Sequence, residues 1–184
     1  MPWGWIIAIA VVVIVLFWYV TTYNRFIGLR NKMEEAFSTM DVYLKRRYDL
    51  VPNLVETVKG YAKHEAGTLE AVVKARNAAA SAPTMAERAQ GENQLTGTLR
   101  SLFALAESYP DLKANQGFQQ LQSELSSIEE DILNARKYYN GVVRDLNTQR
   151  ESFPSNLVAG AMHLDKGTLF EIDAPQRENV KVQF

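Results

Sequence analysis

The first apolar feature of the chain is an unbroken hydrophobic run from Ile6 to Val20. No charged side chain occurs before Arg25, and aromatic residues stand at both ends of the run: Trp3, Trp5, Trp18, Tyr19 and Tyr23. As a helix, residues 2–22 would be about 31 Å long at a rise of roughly 1.5 Å per residue, which matches a hydrocarbon core of about 30 Å. The pattern predicts a single transmembrane anchor over residues 1–24, which is not cleaved because the run lacks a small-residue exit site.

Basic residues follow the span closely, at Arg25, Arg30 and Lys32. By the positive-inside rule, the short N-terminus lies outside and the rest of the chain is cytoplasmic. The same three residues are candidates for contact with the lipid bilayer, where each would gain about 1 kcal/mol from an anionic leaflet. The alternative is that they only set the topology.

Beyond the membrane, apolar residues recur at alternating spacings of three and four, a heptad stripe typical of packed helices. The stripe comprises Phe26, Leu29, Met33, Phe37, Met40, Leu44, Val51, Leu54, Val58 and Tyr61. Arg47 occupies one position of this stripe. Either it is buried against an acidic partner, or the packed stripe opens at this position, or the side chain extends to solvent along its own aliphatic stem.

Pro52 interrupts the stripe chemically, since proline removes a helical hydrogen bond and disfavours helical geometry at Val51. A break at residues 49–52 gives two helices of comparable length, as a four-helix bundle requires. The heptad phase nevertheless continues across the proline, as it would in one kinked, stalk-like helix. We favour the break and keep the continuous helix as the alternative.

Further helices follow. Thr84 and Glu87 have the spacing of a capping box, and Tyr109-Pro110 ends the helix that begins there. The last helix carries the clearest seven-residue repeat, formed by Phe118, Leu125, Ile132, Tyr139, Leu146 and Phe153, with Leu121, Ile128, Ala135 and Val142 between them.

The predicted fold is all-α: a single N-terminal transmembrane helix followed by a four-helix antiparallel bundle with coiled-coil-like packing. The bundle occupies residues 25–154, with helices at about 25–49, 53–80, 84–109 and 115–153. A mostly extended tail, residues 155–184, closes on the alternating segment from Val180 to Phe184.

One polar cluster stands out in the first bundle helix and just beyond it: Asp41, Lys45, Arg46, Arg47, Asp49, Asn53 and Glu56. Lys45 is four residues from both Asp41 and Asp49 and can pair with either. We interpret the cluster as an interaction surface or a packing network. The alternative is a solvated charged face, where each exposed pair contributes at most about 1 kcal/mol.

Composition narrows the chemistry. The chain has 20 basic and 21 acidic residues and a net charge of -1, so no global field favours nucleic acid. It has no cysteine and only two histidines, His64 and His163, neither with a second ligand at metal spacing. No nucleophile elbow or phosphate loop occurs. We therefore expect no cofactor, no metal site and no enzymatic activity.

Several segments resemble the LemA family: Tyr23-Asn24, Leu29-Arg30-Asn31, the long block from Asp41 to Tyr61, Ala135-Arg136, Tyr139-Asn140 and Phe153-Pro154. The resemblance implies a protein of the bacterial inner membrane with a cytoplasmic helical bundle. The family is similar to a magnetosome-formation protein, and its genes often lie beside those of HtpX-like zinc metalloproteases.

Two functions remain from this sequence. The first is a membrane-anchored scaffold that forms homo-oligomers and organises the membrane or partner proteins. The second is an adaptor or regulator of an HtpX-like metalloprotease, which is motivated by the resemblance alone.

Overall fold

The computed structural model describes residues 3–171, and the elements it contains in that range are all helices. They are α1 (Trp3–Tyr61), α2 (Ala66–Ser81), α3 (Met85–Ala106), α4 (Pro110–Lys113), α5 (Gln116–Glu151) and α6 (Ser155–Ala161). The all-α prediction is confirmed. The alternating segment predicted at residues 180–184 lies outside the described residues.

The N-terminal part of α1 is apolar and exposed. Its most hydrophobic 18-residue window has a mean hydropathy of 2.5, and 0% of that window is buried. Apolar side chains that are not buried against the rest of the protein are suited to a lipid environment, and the helix is long enough to cross a bilayer. The structure therefore agrees with a membrane anchor at this end of the chain.

Helix α1 continues through Pro52 without a break, so the predicted division into helices at 25–49 and 53–80 is wrong. The heptad stripe explains the continuity, because Val51, Leu54 and Val58 are all buried while Pro52 itself is exposed. Burying these side chains outweighs the one hydrogen bond that proline removes. The chain leaves the helix after Tyr61 instead, and α2 begins at Ala66.

The start of α3 agrees with the sequence. Thr84 is the N-cap, its hydroxyl accepts from the Glu87 amide at 3.2 Å, and the Glu87 carboxylate accepts from the Thr84 amide at 3.2 Å. Further along, Gly91 meets α2, since a β-carbon at this position would lie 2.8 Å from the Ala79 α-carbon. Glycine thus permits a close approach of the two helices.

The end of α5 differs from expectation. The seven-residue repeat is buried from Phe118 to Leu146, but α5 ends at Glu151 and Phe153 is 82% exposed. The tail then begins with α6 rather than an extended chain, because Val158 and Ala159 gain burial as one face of a helical turn. No helix follows between residues 162 and 171.

Contacts divide the chain into two compact units. Of the described residues, the first unit contains 3–38 together with 137–169, and the second contains 39–136 together with Phe170 and Glu171. In the first unit, Phe26, Leu146, Val158 and Ala159 form a buried cluster on which partly buried apolar side chains pack: Trp18, Leu29, Met33, Met162 and Leu164.

Candidate functional site

The second unit contains a fully buried arginine, Arg47. Its guanidinium forms ion pairs with Glu92 of α3 and Glu129 of α5, and its Nη1 donates to the Thr96 hydroxyl at 3.0 Å. A buried charge is tolerated only when it is paired and hydrogen-bonded. The stripe position of Arg47 therefore corresponds to burial against acidic partners, the first of the three alternatives that the sequence allowed.

Glu92 is as deeply buried as Arg47 and has a second partner. The Tyr48 hydroxyl donates to its Oε1. Burial raises the pKa of Tyr48, and the nearby Arg47 partly opposes this rise. The phenol therefore stays protonated at neutral pH and remains a donor to the carboxylate.

A second buried arginine, Arg136, lies one heptad beyond Glu129 on α5 and is 8% exposed. Its guanidinium carbon lies 5.0 Å from the centroid of the Phe170 ring, a cation–π contact. Burial lowers the pKa of Arg136, as does the charge of Arg47, while Glu129 opposes them. Two arginines and two glutamates in one region leave its formal charge balanced.

An outer ring of polar contacts surrounds this network. Arg88 of α3 pairs with Asp41 of α1 at 2.5 Å, and the Arg76 Nε of α2 donates to the Tyr48 carbonyl oxygen at 3.1 Å. Helices α1, α2, α3 and α5 all contribute to the combined set. Such directional contacts specify which residues of the helices face each other.

The structure divides the seven residues of the predicted polar cluster. Arg47 is the buried centre and Asp41 belongs to the outer ring, so Asp41 pairs across helices and not with Lys45 as the spacing suggested. The other five lie on the exposed surface of α1: Lys45, Arg46, Asp49, Asn53 and Glu56. Glu56 there accepts from Lys59 at 3.4 Å.

The sequence interpretation missed the acidic partners of Arg47. Glu92 occupies a stripe position between the buried residues Ala89 and Leu95, and that placement was a usable signal. Glu129 and Arg136, seven residues apart, occupy one face of α5. The pairing of Glu129 with Arg47, 82 positions earlier, required tertiary information.

The membrane-proximal basic residues Arg25, Arg30 and Lys32 are all exposed in the first unit. Arg30 pairs with Glu34 at 3.2 Å. Arg25 instead lines a cleft of about 710 Å³ formed by α1, the end of α5 and the start of α6. Within residues 3–171, no group of three or more His, Asp or Glu side chains is arranged to hold a metal ion.

Comparison with known proteins identifies relatives. The model of the LemA family matches residues 36–184. Protein LemA of Metamycoplasma hominis is 26% identical over 168 residues, which cover 89% of this chain and 75% of that protein. The matched residues include the whole buried network, while the apolar span lies N-terminal to the family match.

Proposed function

This chain belongs to the LemA family, and from that premise we propose that it is a non-catalytic, membrane-anchored helical scaffold that self-associates and organises the bacterial inner membrane or its partner proteins. The observation that carries the proposal is that two features lie on the same helix, α1. One continuous helix contains both the exposed apolar span and the stripe with Arg47.

The proposed architecture of the region after the span is an antiparallel bundle of the later part of α1 with α2, α3 and α5, packed in the manner of a coiled coil. Burial of the heptad positions on α1 and α5 supports it. The ion pairs of Arg47 to α3 and α5 also support it, since a buried polar group penalises alternative helix registers.

The proposed topology places the N-terminus outside and the helical region in the cytoplasm, because Arg25, Arg30 and Lys32 follow the span. The absence of native cysteine makes single-cysteine variants clean reporters of this topology. Trp3→Cys and Val42→Cys are suitable, since the two native side chains are 72% and 66% exposed.

We expect a membrane-impermeant maleimide to label W3C, and not V42C, in cells whose outer membrane has been opened. After detergent lysis both variants should react, which controls for reactivity. Labelling of V42C alone before lysis would refute the orientation.

The same V42C variant tests self-association in native membranes. We expect a short bismaleimide linker to produce dimers or larger species, while the cysteine-free parent gives none. Light scattering of the parent in mild detergent should show more than one copy per particle. Monomers at every concentration, with no cross-linked species, would refute the scaffold. Co-purification of a metalloprotease with such monomers would favour an adaptor role.

A further inference from the structure

The cleft of about 710 Å³ in the first unit begins where the apolar span ends. Its wall on α1 includes Trp18, Thr22 and Arg25, and Arg25 is the first charged residue after the apolar span. Its other wall is the end of α5 with the first residue of α6. The volume falls within the range of small-molecule sites, about 300–1,000 Å³.

Two opposite charges line this cleft without neutralising each other. Arg25 on α1 and Asp145 on α5 both contribute to its walls, and neither forms an ion pair with any residue between 3 and 171. Their neighbours Arg30 and Glu151, by contrast, pair with Glu34 and Lys166. The cleft therefore presents one cation and one anion to a ligand.

A third group in the cleft lacks a donor. Gln149 lines the cleft four residues after Asp145, and its buried side-chain oxygen has no hydrogen-bond partner in the described part of the chain. Buried acceptors are almost always paired in folded proteins. Asp145 and Gln149 lie one helical turn apart on the same face of α5, and the exposed Asp145 carboxylate is the acceptor that a ligand with several N–H donors can reach.

Apolar side chains adjoin the polar ones. Phe153, which lies between the lining residues Ser152 and Pro154, is 82% exposed, and Leu157, two residues after Ser155, is 62% exposed. Large exposed apolar groups beside a polar site are suited to a ligand with hydrocarbon chains.

We propose that this cleft binds the head group of a zwitterionic aminophospholipid of the phosphatidylethanolamine class, with its phosphate near Arg25 and its ammonium near Asp145. The inference rests on the proposed membrane anchoring, because the span brings the cleft's α1 wall to the bilayer surface. An anionic phosphatidylglycerol would leave Asp145 without a cation. A phosphatidylcholine would present no N–H donor to Asp145.

The test is native mass spectrometry of the full chain in mild detergent with equal amounts of the three lipids. We expect retention of phosphatidylethanolamine to exceed that of the other two by about tenfold, the factor expected for a charged hydrogen bond. Asp145→Asn should remove most of the preference over phosphatidylglycerol, and Arg25→Gln should lower retention of all three lipids.

Matched controls are available in the same unit. Arg30→Gln is the control for Arg25→Gln, and Glu34→Gln is the control for Asp145→Asn. Each removes a charge of the same sign from an exposed position that does not line the cleft, so lipid retention should not change. Circular dichroism should show equal helicity for all four variants. If only Asp145→Asn or Arg25→Gln loses helicity, Thr148→Val takes its place as the test variant. It should weaken lipid retention, because it removes a hydroxyl that lines the cleft.

Two results would overturn the inference: equal retention of all lipids by the parent, or no effect of Asp145→Asn. Binding of water-soluble glycerophosphoethanolamine as tightly as the lipid would show a soluble phosphodiester ligand and would also overturn it. Extraction of the parent from membranes by alkaline carbonate would refute the membrane anchor. This experiment therefore distinguishes failure of the proposed anchoring from failure of lipid binding in the cleft.

Discussion

Arg47 shows how one residue can dominate the energetics of a helical interior. Moving a single ion from water into a protein costs several kcal/mol, and here Glu92, Glu129 and Thr96 together offset that penalty. The stability of the network therefore depends on its completeness. Removing one partner leaves an uncompensated charge, whereas removing a matched pair does not.

Replacing Arg47 by Met should lower the free energy of unfolding by about 3–5 kcal/mol, because Glu92 would stay buried without its cation. The double variant Arg47→Met with Glu92→Leu should recover most of this loss, since it removes both charges and keeps apolar volume. Urea unfolding followed by circular dichroism measures both. The adjacent, exposed Arg46→Met is the control and should change stability by about 0.5 kcal/mol or less. An Arg47→Met variant that is as stable as the parent would contradict the role assigned to Arg47.

At the scale of elements, the clearest constraint lies between α2 and α3. Gly91 is buried and faces Ala79, whereas Gly97, six residues later on α3, has no atom within 4 Å of an added β-carbon. The two glycines therefore have different reasons to be tolerated in one helix. Gly91 permits contact, and Gly97 only weakens the helix.

Gly91→Ala should destabilise the protein by about 1–3 kcal/mol, because the new methyl group would overlap the Ala79 backbone. Gly97→Ala is the matched control in the same helix. It should stabilise the protein by about 0.4–1 kcal/mol through the lower entropy of the unfolded chain. Thermal unfolding of the pair gives the comparison directly. Equal shifts for the two variants would show that the close approach of α2 and α3 is not required.

At the scale of the whole molecule, each compact unit contains a buried tyrosine whose hydroxyl is a donor. Tyr48 in the second unit donates to Glu92, and Tyr139 in the first donates to the Thr168 carbonyl oxygen at 2.9 Å. Burial raises the pKa of both phenols above the ordinary value of 10.0. In the unfolded chain the phenols lose their protons at lower pH than in the folded protein.

The free energy of unfolding should therefore not depend on the ionisation of these two phenols below about pH 9. It should fall as the pH rises through and above 10. Urea midpoints measured from about pH 8 to 11 test this. Tyr139→Phe and Tyr48→Phe should each flatten the decline, whereas Tyr138→Phe, at an exposed neighbour, should not. An unchanged slope in both buried variants would contradict the assignment.

Sequence patterns were sufficient to predict the helical class, the apolar span, the start of α3 at Thr84 and the buried repeat of α5. Each of these depends on local pattern: periodicity, hydropathy and capping chemistry act over a few turns of helix. Local chemistry was misleading at Pro52, where proline predicted a break but burial of Val51, Leu54 and Val58 kept α1 continuous.

The partners of Arg47 depend on tertiary packing, because Glu92 and Glu129 lie 45 and 82 residues away and their charges act through space. It also decided that Phe153, the last position of a regular repeat, is exposed, since the chain leaves α5 two residues earlier. The cleft that contains Arg25 and Asp145 has the same origin. A pattern on one helix indicates which face is buried, but the partner of that face depends on the packing of the other helices.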